Sequence, residues 1–74
     1  MEKERDYKGF LSAVSEALKE RALEAVEKKK DEYDSGRVMG FNESISIIQQ
    51  TAQGMGIDLA EIGLDDINPD NDLV

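Results

Sequence analysis

The chain has 74 residues, a net charge of −8, and neither histidine nor cysteine. A chain of this length makes one small domain, whose thin core is expected to be marginally stable. It lacks the ligands of zinc fingers and of most transition-metal sites, thiol nucleophiles, and Ser-His or Cys-His catalytic pairs. We therefore expect a non-catalytic protein without a cofactor.

Charge is unevenly distributed along the chain. Residues 1–33 carry nine acidic and eight basic side chains, whereas residues 34–74 carry eight acidic side chains and one basic. Binding to phosphate backbones or to anionic membranes depends on clustered lysine and arginine. The one basic run, Lys28 to Lys30, is surrounded by acidic residues that largely neutralise it. The composition therefore predicts no direct nucleic-acid partner and no membrane partner.

The first residues do not resemble a targeting signal. Met1 to Asp6 carry alternating charges and contain no apolar core of a signal peptide. No stretch of the chain approaches the roughly 20 apolar residues that cross a bilayer. We expect a cytoplasmic protein.

A first helix is predicted from about residue 5 to about residue 32. The residues between the apolar positions are good helix formers, rich in alanine, leucine, glutamate and lysine. The apolar residues recur at helical spacing along one stripe, which Phe10 and Leu23 widen. The stripe consists of Tyr7, Leu11, Val14, Leu18, Ala22, Ala25, Val26 and Tyr33.

A turn is predicted around residues 34–36, because the apolar pattern changes phase there. Asp34 or Ser35 would cap the helix that follows, and Gly36 tolerates unusual backbone angles. The alternative is a single long helix with a kink at this point. Both interpretations place apolar residues on two consecutive helical segments.

The second helix, predicted at about 36–54, has the most regular pattern in the chain. Its apolar residues are spaced alternately by three and four, as in the contact positions of a coiled coil. They are Val38, Phe41, Ile45, Ile48, Ala52 and Met55. The pattern is too short for a coiled coil and favours packing against the first helix in an antiparallel hairpin.

The other faces of this helix carry almost no charge. From residue 38 to residue 57 the only charged side chain is Glu43. This favours a helix covered on more than one side, by the C-terminal residues, by a second copy, or by both; a neutral but exposed surface is the alternative. The predicted interface residues are Val38, Met39, Phe41, Ile45, Ile47, Ile48, Ala52 and Met55.

The C-terminal third predicts a short helix and a tail. Gly56 suits the left-handed position that ends a helix, and Ile57 can fold back over the last turn. Asp58 then caps a short helix at about 59–62, which stops at Gly63. We assign residues 1–67 to one helical domain and expect residues 68–74 to be an acidic tail, extended or partly disordered.

The tail also contains weak metal-ligand candidates. Asp66, Asn68, Asp70 and Asp72 reproduce the alternating oxygen ligands of a calcium loop. The pattern is incomplete, because Asn71 stands where the loop needs glycine and the final glutamate would lie beyond Val74. A solvated acidic tail is the favoured interpretation.

The predicted fold is all-α: an antiparallel helical hairpin, a short third helix and an acidic tail, paired as a homodimer in a four-helix arrangement. The first functional hypothesis is a protein–protein interaction or regulatory module of a bacterium or phage, whose partners are a second copy and possibly another protein. One alternative is a metal- or small-ligand-binding protein that uses the carboxylates of the tail. Another is an acidic mimic that inhibits a nucleic-acid-binding protein.

Overall fold

The computed structural model describes residues 6–74 of the chain. Within them lie two long helices, α1 (Tyr7–Glu27) and α2 (Glu32–Gly54), a 3₁₀ helix (Leu59–Ile62) and a short helix α3 (Pro69–Asp72). This described part of the chain contains no strand. The all-α prediction is confirmed, and the short third helix lies where the sequence predicts it. The helix start predicted near residue 5 lies outside the described residues.

The turn between the long helices lies at residues 28–31, so its predicted position at 34–36 is wrong. The backbone of Asp31 is extended, and its carboxylate accepts a 3.0 Å hydrogen bond from the backbone N–H of Asp34. In return the Asp34 carboxylate accepts one from the N–H of Lys30. Glu32 and Asp34 also place negative charge in the first turn of α2, where the helix dipole favours it. The single kinked helix is therefore wrong as well.

The two long helices form an antiparallel hairpin. Leu11, near the start of α1, lies beside Ile48 and Ala52, which are near the end of α2. Leu18, further along α1, lies beside Phe41. Steps of seven residues on α2 place Val38, Ile45 and Ala52 in the core, as the spacing predicts. The buried apolar residues are Ala22, Ala25, Val38, Ile45, Ala52, Ile62, Leu64, Ile67 and Leu73.

Helix α2 ends in the predicted glycine motif. Gly56 has a φ of 74°, and the N–H of Ile57 donates a 2.8 Å hydrogen bond back to the carbonyl of Ala52. This bond reverses the chain over the last turn of the helix. Asp58 then caps the 3₁₀ helix by accepting from the N–H of Ala60. The chain from residue 57 to residue 74, which we call the strap, thereby returns along the hairpin.

The end of the strap is folded, which corrects the extended conformation predicted for residues 68–74. Asn68 caps α3 by accepting a hydrogen bond from the N–H of Asp70, and Pro69 occupies the first helical position, which proline favours. The carboxylate of Asp72 accepts a 2.8 Å bond from the N–H of Asn68. Leu73 is completely buried. These local bonds form the last turn that carries Leu73 onto the hairpin.

Two amide side chains of α2 hold the strap. The Asn42 amide nitrogen lies 2.8 Å from the Pro69 carbonyl oxygen and 3.2 Å from that of Leu73. The Gln49 amide nitrogen donates in the same way to the carbonyls of Leu64 and Ile67, at 3.1 and 2.9 Å. These contacts explain why this side of α2 carries uncharged amides. An amide nitrogen can donate to a backbone carbonyl, whereas a carboxylate would be repelled by it.

None of the helices formed by residues 6–74 has both the length and the apolar character that crossing a membrane requires. The long helices instead alternate apolar and polar sides, as helices packed on one side do.

Ser15 of α1 is a polar residue in the core. Its side chain is fully buried, and no described residue is a hydrogen-bond partner for its hydroxyl. An unsatisfied buried hydroxyl costs roughly 1–3 kcal/mol. Replacing Ser15 with alanine should therefore raise the free energy of unfolding by about 1 kcal/mol, measured by urea denaturation.

Ser44 provides the matched control for this substitution. Its hydroxyl is exposed and donates a 2.8 Å hydrogen bond to the carbonyl of Gly40 one turn earlier. Ser44→Ala should change the free energy of unfolding by less than about 0.5 kcal/mol. A Ser15→Ala variant less stable than the wild type would show that the hydroxyl has a partner in the folded protein.

Candidate functional site

The hairpin has two broad sides, and the strap lies on one of them. On α1 the strap side is marked by Lys19, which bonds to Gly63, and on α2 by Gln49, which bonds to Leu64. With 3.6 residues per turn, Val14 projects about 140° around α1 from Lys19. Met55 projects about 120° around α2 from Gln49. Both therefore belong to the opposite side of the hairpin, which we call the open face.

The half of the open face formed by the start of α1 and the end of α2 is strongly apolar. We call this the terminal half. Phe10 is 70 % exposed and Val14 is 37 % exposed on α1, while Ile47 is 63 % and Met55 is 71 % exposed on α2. A groove of about 270 Å³ runs between the two helices here. It is lined by Leu11, Ile47, Ile48, Thr51, Ala52, Met55 and Ile57, none of which is charged.

The half of the open face next to the turn is more polar. We call this the loop half. It contains a shallow hollow of about 360 Å³ lined by Leu18, Arg37, Gly40, Phe41 and Ser44. The Arg37 guanidinium lies over the Phe41 ring, 5.4 Å from its centre, an arrangement in which the ring face attracts the cation. A Cβ placed on Gly40 would meet no atom within 4 Å, so the missing side chain leaves open space there.

The predicted interface residues lie in three different environments. Val38, Ile45 and Ala52 are buried inside the hairpin, where they contact other parts of the same chain. Phe41 and Ile48 are half-buried at the base of the open face, and Ile47 and Met55 are exposed on it. Met39 is exposed too, but it lies about 160° around α2 from Met55 and does not line either hollow.

Sequence reasoning missed the contribution of α1 to the open face. Phe10 and Val14 belong to an apolar stripe that the spacing assigns to the core. This stripe on α1 is wider than one neighbouring helix can cover. Its width is the signal from which the exposure of some of its residues could have been inferred. Only the position of the strap decides which edge of the stripe stays exposed.

Three of the four metal-ligand candidates have other side-chain contacts in the folded chain. Asp66 accepts a hydrogen bond from Lys19, and the side chains of Asn68 and Asp72 accept bonds from backbone N–H groups of α3 and its cap. Asp70 is exposed. Among residues 6–74, no three carboxylate side chains converge as a metal site would require. Two of the four alternating positions, Asn68 and Asp72, thus take part in the cap of α3.

Lys19 ties the strap to α1. Its ammonium group donates to the Gly63 carbonyl at 2.7 Å and to the Asp66 carboxylate at 2.9 Å, and its side chain is only 19 % exposed. The hydrogen bond and the charge of Lys19 hold the pKa of Asp66 below its ordinary value of 3.8. Ionised Asp66 therefore contributes stability above pH 3.8, and this contribution is lost as the pH falls through the lowered pKa.

Replacing Lys19 with methionine should return the pKa of Asp66 to near 3.8, because both stabilising effects come from this ammonium group. An NMR titration of the Asp66 carboxyl measures the shift. Lys8→Met is the matched control, since Lys8 pairs with Glu61 of the strap across a looser 3.5 Å contact. An Asp66 pKa that is equal in the wild type and in Lys19→Met would contradict the observed bond.

The open face exposes several large apolar side chains around an uncharged groove, and no similarity to another protein assigns it a role. Neither a protein-family model, nor a curated protein, nor a solved structure matches the chain. What the chain does must therefore be inferred from the open face, the strap and their charges.

Proposed function

We propose that the chain is a non-catalytic protein-interaction module that acts through the open face. The observation that carries this proposal is the terminal half, where exposed Phe10, Ile47 and Met55 border an uncharged groove. Contiguous exposed apolar surface of this kind marks contact sites on small proteins. Covering a fully exposed side chain of this size contributes about 1.5–3 kcal/mol, so the three together can hold a partner.

The chemistry of the chain supports an interaction role over catalysis. Histidine and cysteine are absent, so the commonest general base and the most reactive nucleophile are missing. Several carboxylates have structural contacts, as helix caps at Asp31, Asp58 and Asp72 and as the partner of Lys19 at Asp66. The groove of the terminal half contains no titratable side chain. Contact through apolar side chains is what these residues can provide.

Site-specific photo-crosslinking in cells of the source organism tests the proposal. A photoreactive amino acid would replace Met55 on the open face, and in a matched variant it would replace Met39, an exposed methionine on another side of the same helix. We expect a protein adduct from position 55 and little or none from position 39. Equal yields at the two positions, or no adduct at position 55, would contradict a role for the open face.

A second candidate, the acidic mimic, is favoured by the charges of the strap. The strap has six acidic residues and no basic one, and all six are exposed. They are Asp58, Glu61, Asp65, Asp66, Asp70 and Asp72. A surface of this kind attracts a basic protein through long-range electrostatics that salt screens.

The test of this candidate is binding to a basic DNA-binding protein at increasing salt. Asp65→Asn with Asp70→Asn should weaken that binding, since it removes two exposed charges. The Met55→Lys substitution on the open face should leave this binding nearly unchanged, and should weaken it only as far as one added positive charge would. Binding that is insensitive to salt and to the strap substitutions would exclude the mimic.

A further inference from the structure

We infer that the partner of the open face is a second copy of this chain, packed antiparallel so that the terminal half of each copy covers the loop half of the other. This inference rests on the proposed function, because it names what the same face binds. The arrangement is a symmetric four-helix bundle made of two hairpins, in which the same surface is used twice.

The size of the open face suits a second copy. Helix α2 has 23 residues and is therefore about 34 Å long. Two neighbouring helices are together about 18–20 Å wide. The open face thus spans about 600–700 Å² in projection, near the roughly 800 Å² that each partner buries in a stable complex. A small peptide in the terminal groove alone would cover about half of it, whereas a second hairpin covers all of it.

The core of one copy is thin. Nine apolar side chains are buried among the described residues, and three of them are alanines. Small chains without disulfides or metals commonly complete such a core by associating with another chain. In this chain the half-buried Phe41 and Ile48 line the base of the open face, next to the core. A second copy would bury them fully and join the two cores.

Charge selects the antiparallel orientation. The loop half carries Arg37, and Arg21 projects from α1 on the same side, two turns after Val14. A parallel pair would place both arginines of one copy over those of the other. In an antiparallel pair they approach the opposite end of the partner, where the exposed carboxylates of Asp6 and Asp58 lie. The antiparallel pair thus replaces repulsion between arginines with attraction between arginines and carboxylates.

Shape selects the same orientation. The terminal half protrudes through Phe10 and Met55, which are 70 % and 71 % exposed. The loop half has the complementary hollow beside Gly40, where the structure leaves open space. An antiparallel pair places the protruding side chains of each copy over the hollow of the other. In a parallel pair, the protruding side chains of the two copies would instead meet each other.

Sedimentation equilibrium of the purified chain over a wide concentration range tests this inference. The wild type should approach twice the 8.2 kDa mass of one copy as the concentration rises. Met55→Lys should raise the dimer dissociation constant by at least about ten-fold, since the symmetric interface contains the site twice. Met39→Lys adds the same charge outside the open face and should change the constant by less than about two-fold.

Gly40→Lys supplies a second variant that does not depend on Met55. The space around Gly40 accommodates a side chain within one copy, and lysine is a better helix former than glycine. The variant should therefore fold, as circular dichroism will show, but remain monomeric because the hollow is filled. A Gly40→Lys variant that dimerises as the wild type does would overturn the inference.

The orientation is measured with a nitroxide label on Gln53→Cys, an exposed position near the end of α2 that lies on the strap side, outside the proposed interface. The antiparallel pair separates the two labels by about 30 Å along the bundle, whereas a parallel pair would place them level with each other, about 20–24 Å apart across two helices. A short distance would overturn the inferred arrangement. If the wild-type chain stays monomeric at the highest concentration, a second copy is not the partner of the open face. In that case, a crosslinked adduct between position 55 and another protein would still support the proposed function.

Discussion

Ile45→Ala is expected to lower the free energy of unfolding by about 3 kcal/mol. Ile45 is 0 % exposed and lies in the middle of the seam that α2 presents to α1. Removing its outer carbons leaves a cavity that rigid neighbouring helices cannot fill. A domain of this size has a total stability of only about 4–11 kcal/mol. The variant should therefore unfold at a far lower urea concentration, and its thermal midpoint should fall markedly.

The matched control for this substitution is Ile47→Ala on the same helix. Ile47 is mostly exposed, so the change should cost less than about 0.5 kcal/mol in a monomer. Both variants should be compared at low protein concentration, because self-association through the open face would add stability to the folded state. Equal losses for Ile45→Ala and Ile47→Ala would mean that α2 packs with a different side toward α1.

Leu73→Ala is expected to cost about 2–4 kcal/mol, although the residue is next to last in the sequence. Its side chain is completely buried, and the carbonyl of the same residue accepts a hydrogen bond from Asn42. Without the buried Leu73 side chain, the end of the strap should detach from the hairpin and expose the core beneath it. Urea denaturation gives the loss of stability, and hydrogen exchange of the Leu73 amide reports the release of the strap.

Val74→Ala is the control, since Val74 is the neighbouring residue and its side chain is exposed. It should change the free energy of unfolding by less than about 0.5 kcal/mol. If Leu73→Ala leaves the free energy of unfolding unchanged, the end of the strap is not docked on the hairpin. That result would support the extended tail that the sequence predicts.

Much of the hairpin follows from local sequence pattern. The three-and-four spacing of α2 predicts the burial of Val38, Ile45 and Ala52, because only one side of a helix can face a single neighbour. Met55, the last residue of that pattern, is exposed. The glycine motif at Gly56 and the cap at Asp58 are local as well, since each depends on residues within one turn. These features could therefore be predicted without knowledge of the rest of the chain.

The turn and the strap could not be predicted in the same way. Three residues, Asp31, Asp34 and Ser35, are each plausible helix caps, and the folded chain uses Asp31, whose carboxylate accepts from the Asp34 N–H. Burial of Leu73 depends on Asn42, which lies 31 residues earlier. Such distant contacts leave no periodic signal, so the final residues resemble a solvated tail when they are considered alone.

The candidate site could be predicted in part. The sequence places Met39 and Ile47 in an interface because they lie off the regular seam of a helix that carries almost no charge. The folded chain puts Ile47 on the open face and Met39 on another side of α2. The sequence could not identify Phe10 and Val14, because the apolar stripe of α1 is compatible with a core on either side. The strap decides between the two sides, and its own position depends on Lys19, Asn42 and Gln49.

The central claim is that the strap covers one side of the hairpin and leaves the other to contact a second chain. Methyl NMR of methionine-labelled protein with a soluble paramagnetic agent tests it most directly, because Met39 and Met55 report on different sides of α2. At low concentration both methyl groups should relax rapidly, as exposed groups do. At high concentration the Met55 methyl should become protected while the Met39 methyl stays accessible. Equal accessibility of the two methyl groups at every concentration would contradict the claim.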